Sequence, residues 1–167
     1  ILLHAQDIQA PAVIAPAASE TDSLIKATQN PVARLISVPL QNNSNFAVGP
    51  YNRTQDIFNI QPVIPKRLSE NWFLITRVIQ PFVWQPTSTE NTGGELGLGD
   101  MNPTFFLSPA HPGKLIYGVG PTMVFPTATS KVVGQGKLSF GPSVVALLQP
   151  GHWTVGFIAN NVWSVAG

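Results

Sequence analysis

The 167-residue sequence contains no cysteine, which excludes disulfides, thiolate metal sites and cysteine nucleophiles. It also lacks any apolar run of the roughly 18 to 20 residues that a membrane helix needs, so a bilayer-crossing chain of this sequence has to be a β-barrel. Charge is scarce, at 10% of residues where about 25% is typical of soluble domains, and the formal net charge is only +1. Such a balance offers no field to attract nucleic acid. Asn, Gln, Ser, Thr, Gly and Pro take the places of the missing charges, beside a hydrophobic fraction of 44%. Water-facing surfaces are normally dominated by Lys, Glu, Arg and Asp, so this trade suits a wall with lipid on one side and a wet lumen on the other.

Catalytic signatures are equally sparse. There is no Gly-x-Ser-x-Gly, and the only histidines are His4, His111 and His152. His111 and His152 fall in short turns without nearby carboxylates and read as solvated turn residues rather than metal ligands. The glycine-rich stretches at Gly93 to Gly99, Gly118 to Gly120 and Gly134 to Gly136 fit neither a phosphate loop nor a dinucleotide fingerprint. No enzyme activity, metal or cofactor is expected.

The length accommodates one domain, preceded by a short non-barrel stretch over residues 1–31. Ile1-Leu2-Leu3-His4-Ala5 reads either as the tail of an export signal or as an arbitrary start. Residues 7 to 20, rich in Ala, Pro and Gln, read as a linker. Ser19 with Asp22 makes a capping pair for a short helix through Leu24, Ile25 and Ala27 that stops at Asn30-Pro31; the alternative is a disordered tail.

Residues 32–167 are expected to be an all-β, antiparallel up-and-down barrel. Seven apolar, alternating segments follow one another at about 35 to 48, 54 to 66, 72 to 85, 99 to 110, 114 to 126, 137 to 149 and 153 to 166. In the fifth, Leu115, Tyr117, Val119, Pro121, Met123 and Phe125 share a face, and Gly118, Gly120 and Thr122 share the other with Ile116 and Val124. In the sixth, Leu138, Phe140, Val144, Ala146 and Leu148 oppose Ser139, Gly141 and Ser143. The connections alternate, with short turns at 67 to 71, 111 to 113 and 150 to 152, and long loops at 86 to 98 and 127 to 136; the first, at 49 to 53, falls on the long-loop side but is itself short. Outer-membrane barrels have this asymmetry, with short periplasmic turns and longer external loops.

Charge placement is the strongest argument for lipid on one face. Of twelve charged residues between Leu35 and Gly167, only Arg77 lies well inside a segment. Trp72 and Trp84 share a face twelve residues apart, and Trp153 and Trp163 share one ten apart. At about 3.3 Å per residue and a tilt near 40°, each separation projects to roughly 25 to 30 Å, the height of the apolar band between aromatic girdles. Pro62, Pro81, Pro103, Pro121 and Pro142 fall near mid-segment, where a missing N–H breaks a ladder bond, and bulges are the expected accommodation.

Several stretches together resemble a known family. They are Asn30-Pro31-Val32-Ala33, Ile36-Ser37-Val38-Pro39-Leu40-Gln41-Asn42-Asn43, Asn59-Ile60-Gln61-Pro62-Val63-Ile64-Pro65 and Gly97-Leu98-Gly99-Asp100-Met101-Asn102-Pro103-Thr104. With them go Phe125-Pro126-Thr127-Ala128-Thr129, Gly141-Pro142-Ser143 and Asn160-Asn161-Val162-Trp163-Ser164. Over residues 20 to 167 the chain is similar to bacterial proteins labelled "neuromedin U", a misnomer for relatives of the barrels grouped with meta-cleavage phenol degradation. The resemblance implies an outer-membrane transport protein for small, hydrophobic or aromatic solutes, and it implies that the intramembrane prolines are a family trait. Family members continue for several more strands, and seven is an odd count for a bacterial single-chain barrel, so a partial barrel is expected here.

The functional candidates are residues on the expected inward face: Asn59, Gln61, Arg77, Asn102, Thr104, Ser139 and Ser143, with Asp100 at the mouth. Arg77 reads as a selectivity charge or as a partner for Asp100 or Glu70. The alternative is a lumen filled by side chains that satisfy one another. The expected partners are the bilayer of a bacterial outer membrane and a small solute. A non-transporting structural or adhesive barrel, and a soluble lipocalin-like ligand-binding barrel, are the competing readings.

Overall fold

The computed structural model describes residues 22–23, 25, 35–88, 93–150 and 153–167. Asp22, Ser23 and Ile25 are helical. The export-signal tail, the linker, Ser19, the stop at Asn30-Pro31 and His152 lie outside the described residues.

From Leu40 the described residues form an all-β meander. Ten strands run in order: β1 Leu40–Val48, β2 Arg53–Ile60, β3 Val63–Arg67, β4 Trp72–Pro86, β5 Gly94–Leu98, β6 Asn102–Pro109, β7 Leu115–Val124, β8 Leu138–Leu148, β9 Val155–Asn160 and β10 Trp163–Ala166. They form one antiparallel sheet in which β2 with β3, β5 with β6, and β9 with β10 each continue along a common neighbour. The ten strands therefore make seven walls, each beside its sequence neighbours, and the sheet curls into a half-barrel. Its free edges are β1 and the β9–β10 wall. Alternation of bulky with small or polar residues marks β7 and β8, and β4 is mostly β-branched and aromatic. Short turns close one end: Leu68 and Ser69 both donate to the Trp72 carbonyl. At the other end the first hairpin turns through Gly49 to Asn52, both with positive φ, after a bulge that puts Ala47 in the left-handed region.

Prolines interrupt the hydrogen bonding without shifting the register. Ile60 faces Gln80 and Val63 faces Arg77, so β3 resumes β2's pairing across Pro62 as if no break existed. Ser37 bridges Val63 on the far side of Pro39, again in the β1–β2 register. The β9–β10 gap lies opposite Pro142, whose carbonyl accepts from Asn161 N at 3.1 Å but whose nitrogen returns nothing. Because Pro142 points its carbonyl at β9–β10, its pairing with Pro121 on β7 is of the non-hydrogen-bonded kind, and the two rings cost the β7–β8 ladder no bond. At Pro81 the carbonyl accepts from Gly99 N, and the Gly99 carbonyl that Pro81 cannot serve is taken by Gln80 Nε2 at 3.2 Å. The expected bulges at prolines are thus replaced by in-register gaps. A true register shift does occur at Asp100-Met101, between β5 and β6.

Three further expectations change. The first segment is not apolar and alternating, since β1 carries Gln, Asn and Ser on both faces. The long loop at 86 to 98 is shorter than expected, because β4 runs to Pro86 and Gly94–Leu98 is strand β5, paired with the end of β4. Asp56 lies inside β2 rather than at its end and accepts from Ser44 Oγ at 2.6 Å.

The concave face holds the packed core. Val63, Ile75, Phe106 and Val145 are buried together, with Phe73 and Ile116 against them, in the half nearest the short turns. Fully burying each such side chain contributes about 1.5 to 3 kcal/mol. Close wall-to-wall approach depends on Gly141, where an added Cβ would lie 1.8 Å from the Asn161 carbonyl oxygen. Gly113, in a short turn, has nothing within 4 Å of that position. In a urea titration Gly141→Ala is expected to lose about 1 to 3 kcal/mol, and Gly113→Ala to stay within about 0.5 kcal/mol; equal midpoints would contradict this packing.

Candidate functional site

Alternation decides which side chains reach the concave face. Across neighbouring walls, Val63, Arg77, Thr104, Thr122 and Gly141 form one inward row. Ile75, Phe106, Gly120, Ser143 and Asn160 form the row on its short-turn side. Ile79, Asn102, Val124, Ser139 and Ser164 form the row toward the long loops. The candidates Arg77, Asn102, Thr104, Ser139 and Ser143 therefore gather in three adjacent rows, two of which they share with the core residues Val63, Ile75 and Phe106. Asn59 and Gln61 join them from the first hairpin, both buried on the same face.

Their polar atoms are largely engaged with one another. Arg77 Nη2 donates to Gln61 Oε1 at 2.5 Å, Gln61 Nε2 to Gln41 Oε1 at 2.7 Å, and Gln41 Nε2 to Asn43 Oδ1 at 3.0 Å. A second chain toward the long-loop end links Asn45 Nδ2 to Gln55 Oε1 and Gln55 Nε2 to Gln85 Oε1. Thr104 and Thr122 share a hydroxyl hydrogen bond of 2.8 Å, and Asn102 Nδ2 donates to Thr122 Oγ1 and the Met123 carbonyl. Ser143 Oγ donates to Asn160 Oδ1. Among the described residues no fully buried side-chain polar atom lacks a partner. A belt of neutral amides and hydroxyls with this much mutual bonding is rigid, and its remaining lone pairs and protons suit hydration of a polar path.

Arg77 and Asp100 are not partners, and the hydrogen bonds of Arg77 do not reach Glu70 either. Asp100 sits at the bulge, where its two carboxylate oxygens accept Ala128 N at 3.1 Å and Gln135 N at 2.6 Å. Thr127 and Thr129 hydroxyls take the Met101 and Leu98 amides, and Thr129 N returns a bond to the Leu98 carbonyl. The loop between β7 and β8 is thereby fastened over β5 and the bulge, with Val133 buried beneath it. Sequence reasoning missed Gln41, Gln55, Gln85, Thr122 and Asn160. The signal was present as parity, since each shares its strand face with a residue already singled out or paired to one.

Trp72, Trp84 and Trp163 stand on the opposite face, and Trp153 precedes β9. Trp72 and Trp84 are well exposed at the two ends of β4, and Trp153 and Trp163 are more exposed still. Trp84 lies over Gly94, whose missing side chain leaves room for the ring. At the long-loop end a depression of about 720 Å³ opens among Gln85, Thr87, Ser88, Glu95 and Val132. Nearby, Arg53 stacks on Tyr51 and donates to the Thr87 hydroxyl at 2.8 Å. Among the described residues no three His, Asp or Glu side chains cluster as a metal site would require.

The chain matches no protein-family model, no curated protein and no solved structure.

Asp100→Ala removes two charge-assisted acceptors from the loop. Exchange of the Ala128 and Gln135 amides is expected to speed up roughly ten-fold, for a loss of about 1 to 2 kcal/mol of local stability. Unchanged protection at both would show that Asp100 does not hold the loop.

Proposed function

We propose that this chain forms the wall of a bacterial outer-membrane β-barrel that passes small solutes along its concave, polar face. The carrying observation is the outward face of β4 to β10, where no strand residue is charged. Leu107, Leu115, Tyr117, Val119, Phe140, Val144, Leu148, Phe157 and Trp163 all stand exposed there. A soluble monomer rarely shows so broad an apolar patch. A lipocalin-like barrel reverses the arrangement, with apolar residues lining its cavity and charges outside. Here the polar belt is inside. The outward charges of the first walls are Asp56, half-buried inside β2 beside Trp84 and bonded to Ser44, and the exposed Lys66 near the end of β3.

The kinship with the bacterial "neuromedin U" barrels is part of this proposal. Its support is that the motifs quoted for it fall at the sheet's special places: Pro62 at the β2–β3 gap, Gly99 to Met101 at the bulge, and Gly141-Pro142 opposite Asn161. The preference for hydrophobic or aromatic solutes rests on that kinship alone.

Val119 and Val144 face each other across β7 and β8 on the outward side. Val119→Arg or Val144→Arg is expected to weaken folding into phospholipid vesicles by about 2 to 4 kcal/mol. Tolerance of both, or folding without detergent or lipid, would sink the membrane reading. Vesicles carrying the folded protein are also expected to swell in permeant solute; no flux with any solute would leave a structural or adhesive barrel.

A further inference from the structure

Arg77 is the one cation at mid-wall on the concave face among the described residues. The other basic strand-end residues there, Arg53 and Arg67, are turned to Thr87 and to the short-turn carbonyls of Ser69 and Glu70. Arg77 meets only the neutral Gln61 oxygen, and no carboxylate among the described residues lies within ion-pair distance of it. The acidic groups on this face, Glu95 and Asp100, lie toward the long-loop end, and the Asp100 oxygens are occupied by the loop amides. Gln61 supplies a dipole but cannot cancel a unit charge. A partly buried guanidinium without a counter-charge is costly, and a passing anion relieves that cost.

The chemistry beside it points the same way. Arg77 spends one nitrogen on Gln61 and its other N–H groups donate to no described residue, and a carboxylate matches such a planar fork bidentately. Thr104, opposite Arg77 in the ladder, adds a hydroxyl to the same row. Basic side chains set anion preference in pores by this means. We infer that Arg77, steadied by the Gln61–Gln41 relay, is an anion-docking site that makes the pore favour small carboxylates and other monovalent anions over cations. The inference rests on the pore proposed above.

The full chain, reconstituted in planar bilayers under a potassium chloride gradient, provides the test. Wild type is expected to show a reversal potential of anion-selective sign, and millimolar acetate is expected to reduce its chloride current. Arg77→Gln should lose several-fold in chloride-over-potassium preference and its acetate sensitivity, whereas Arg77→Lys should keep the preference and weaken acetate block. Conducting wild type without anion preference, or Arg77→Gln with preference intact, overturns the inference and leaves the pore standing. Vesicle-folded wild type that never conducts overturns the pore itself, and this inference with it. Should Arg77→Gln fail to fold, acetate block in wild type against Arg77→Lys still decides, and equal block in both overturns the docking role.

Discussion

Strand register is the constraint on which everything else in this molecule depends. With a side-chain period of 2, a slip of one residue in any wall would carry its apolar set inward and its polar set outward. Arg77, Asn102 and Thr104 would then stand where Val78, Pro103 and Phe105 do. The prolines make such slips easy to imagine, because each removes a donor from the ladder. Their placement limits the damage: Pro121 and Pro142 meet where no bond is due between their strands, and Gln80 serves the carbonyl that Pro81 leaves. The sheet tolerates missing bonds better than shifted pairs.

That division of faces yields two environments from one wall. Outside, charge is absent from the strands β4 to β10. Inside, an apolar floor of Val63, Ile75, Phe106 and Val145 underlies a belt of amides and hydroxyls. The floor supplies burial and the belt supplies a polar path, and the two interleave on one face, with Val63 in the row of Arg77 and Thr104, and Ile75 and Phe106 in the row of Ser143. The β7–β8 loop, clasped by Asp100 and the Thr127 and Thr129 hydroxyls, frames the long-loop end.

Much of this is legible in the amino-acid sequence itself. The faces of β7 and β8 follow directly from their alternation, and so do the inward positions of Arg77, Thr104 and Ser143, while the seven-wall order follows from the segments and the turns between them. What escapes has physical reasons. In β1 the side chains are polar on both faces, so no periodicity separates wall from loop. The Gly-Glu-Leu-Gly-Leu stretch of β5 has the composition of a turn, and only pairing with β4 makes it a strand. A bulge shifts parity without changing composition, which is why Asp100 reads as a charge at the mouth rather than as the anchor of a loop. Amide chains such as Asn45–Gln55–Gln85 join residues ten and thirty positions apart, and only the register brings them together.

The central claim is that one face of this wall meets lipid and the other does not, and the absence of native cysteine makes it directly measurable. Single cysteines placed in turn along β7, from Leu115 to Val124, and spin-labelled in vesicles would report accessibility to oxygen, which concentrates in lipid, and to a water-soluble quencher. Alternation is the expected result, with oxygen exposure at Tyr117, Val119 and Met123 rising toward the strand centre and low at Ile116 and Thr122. Uniform access of the aqueous quencher to the outward positions would contradict it.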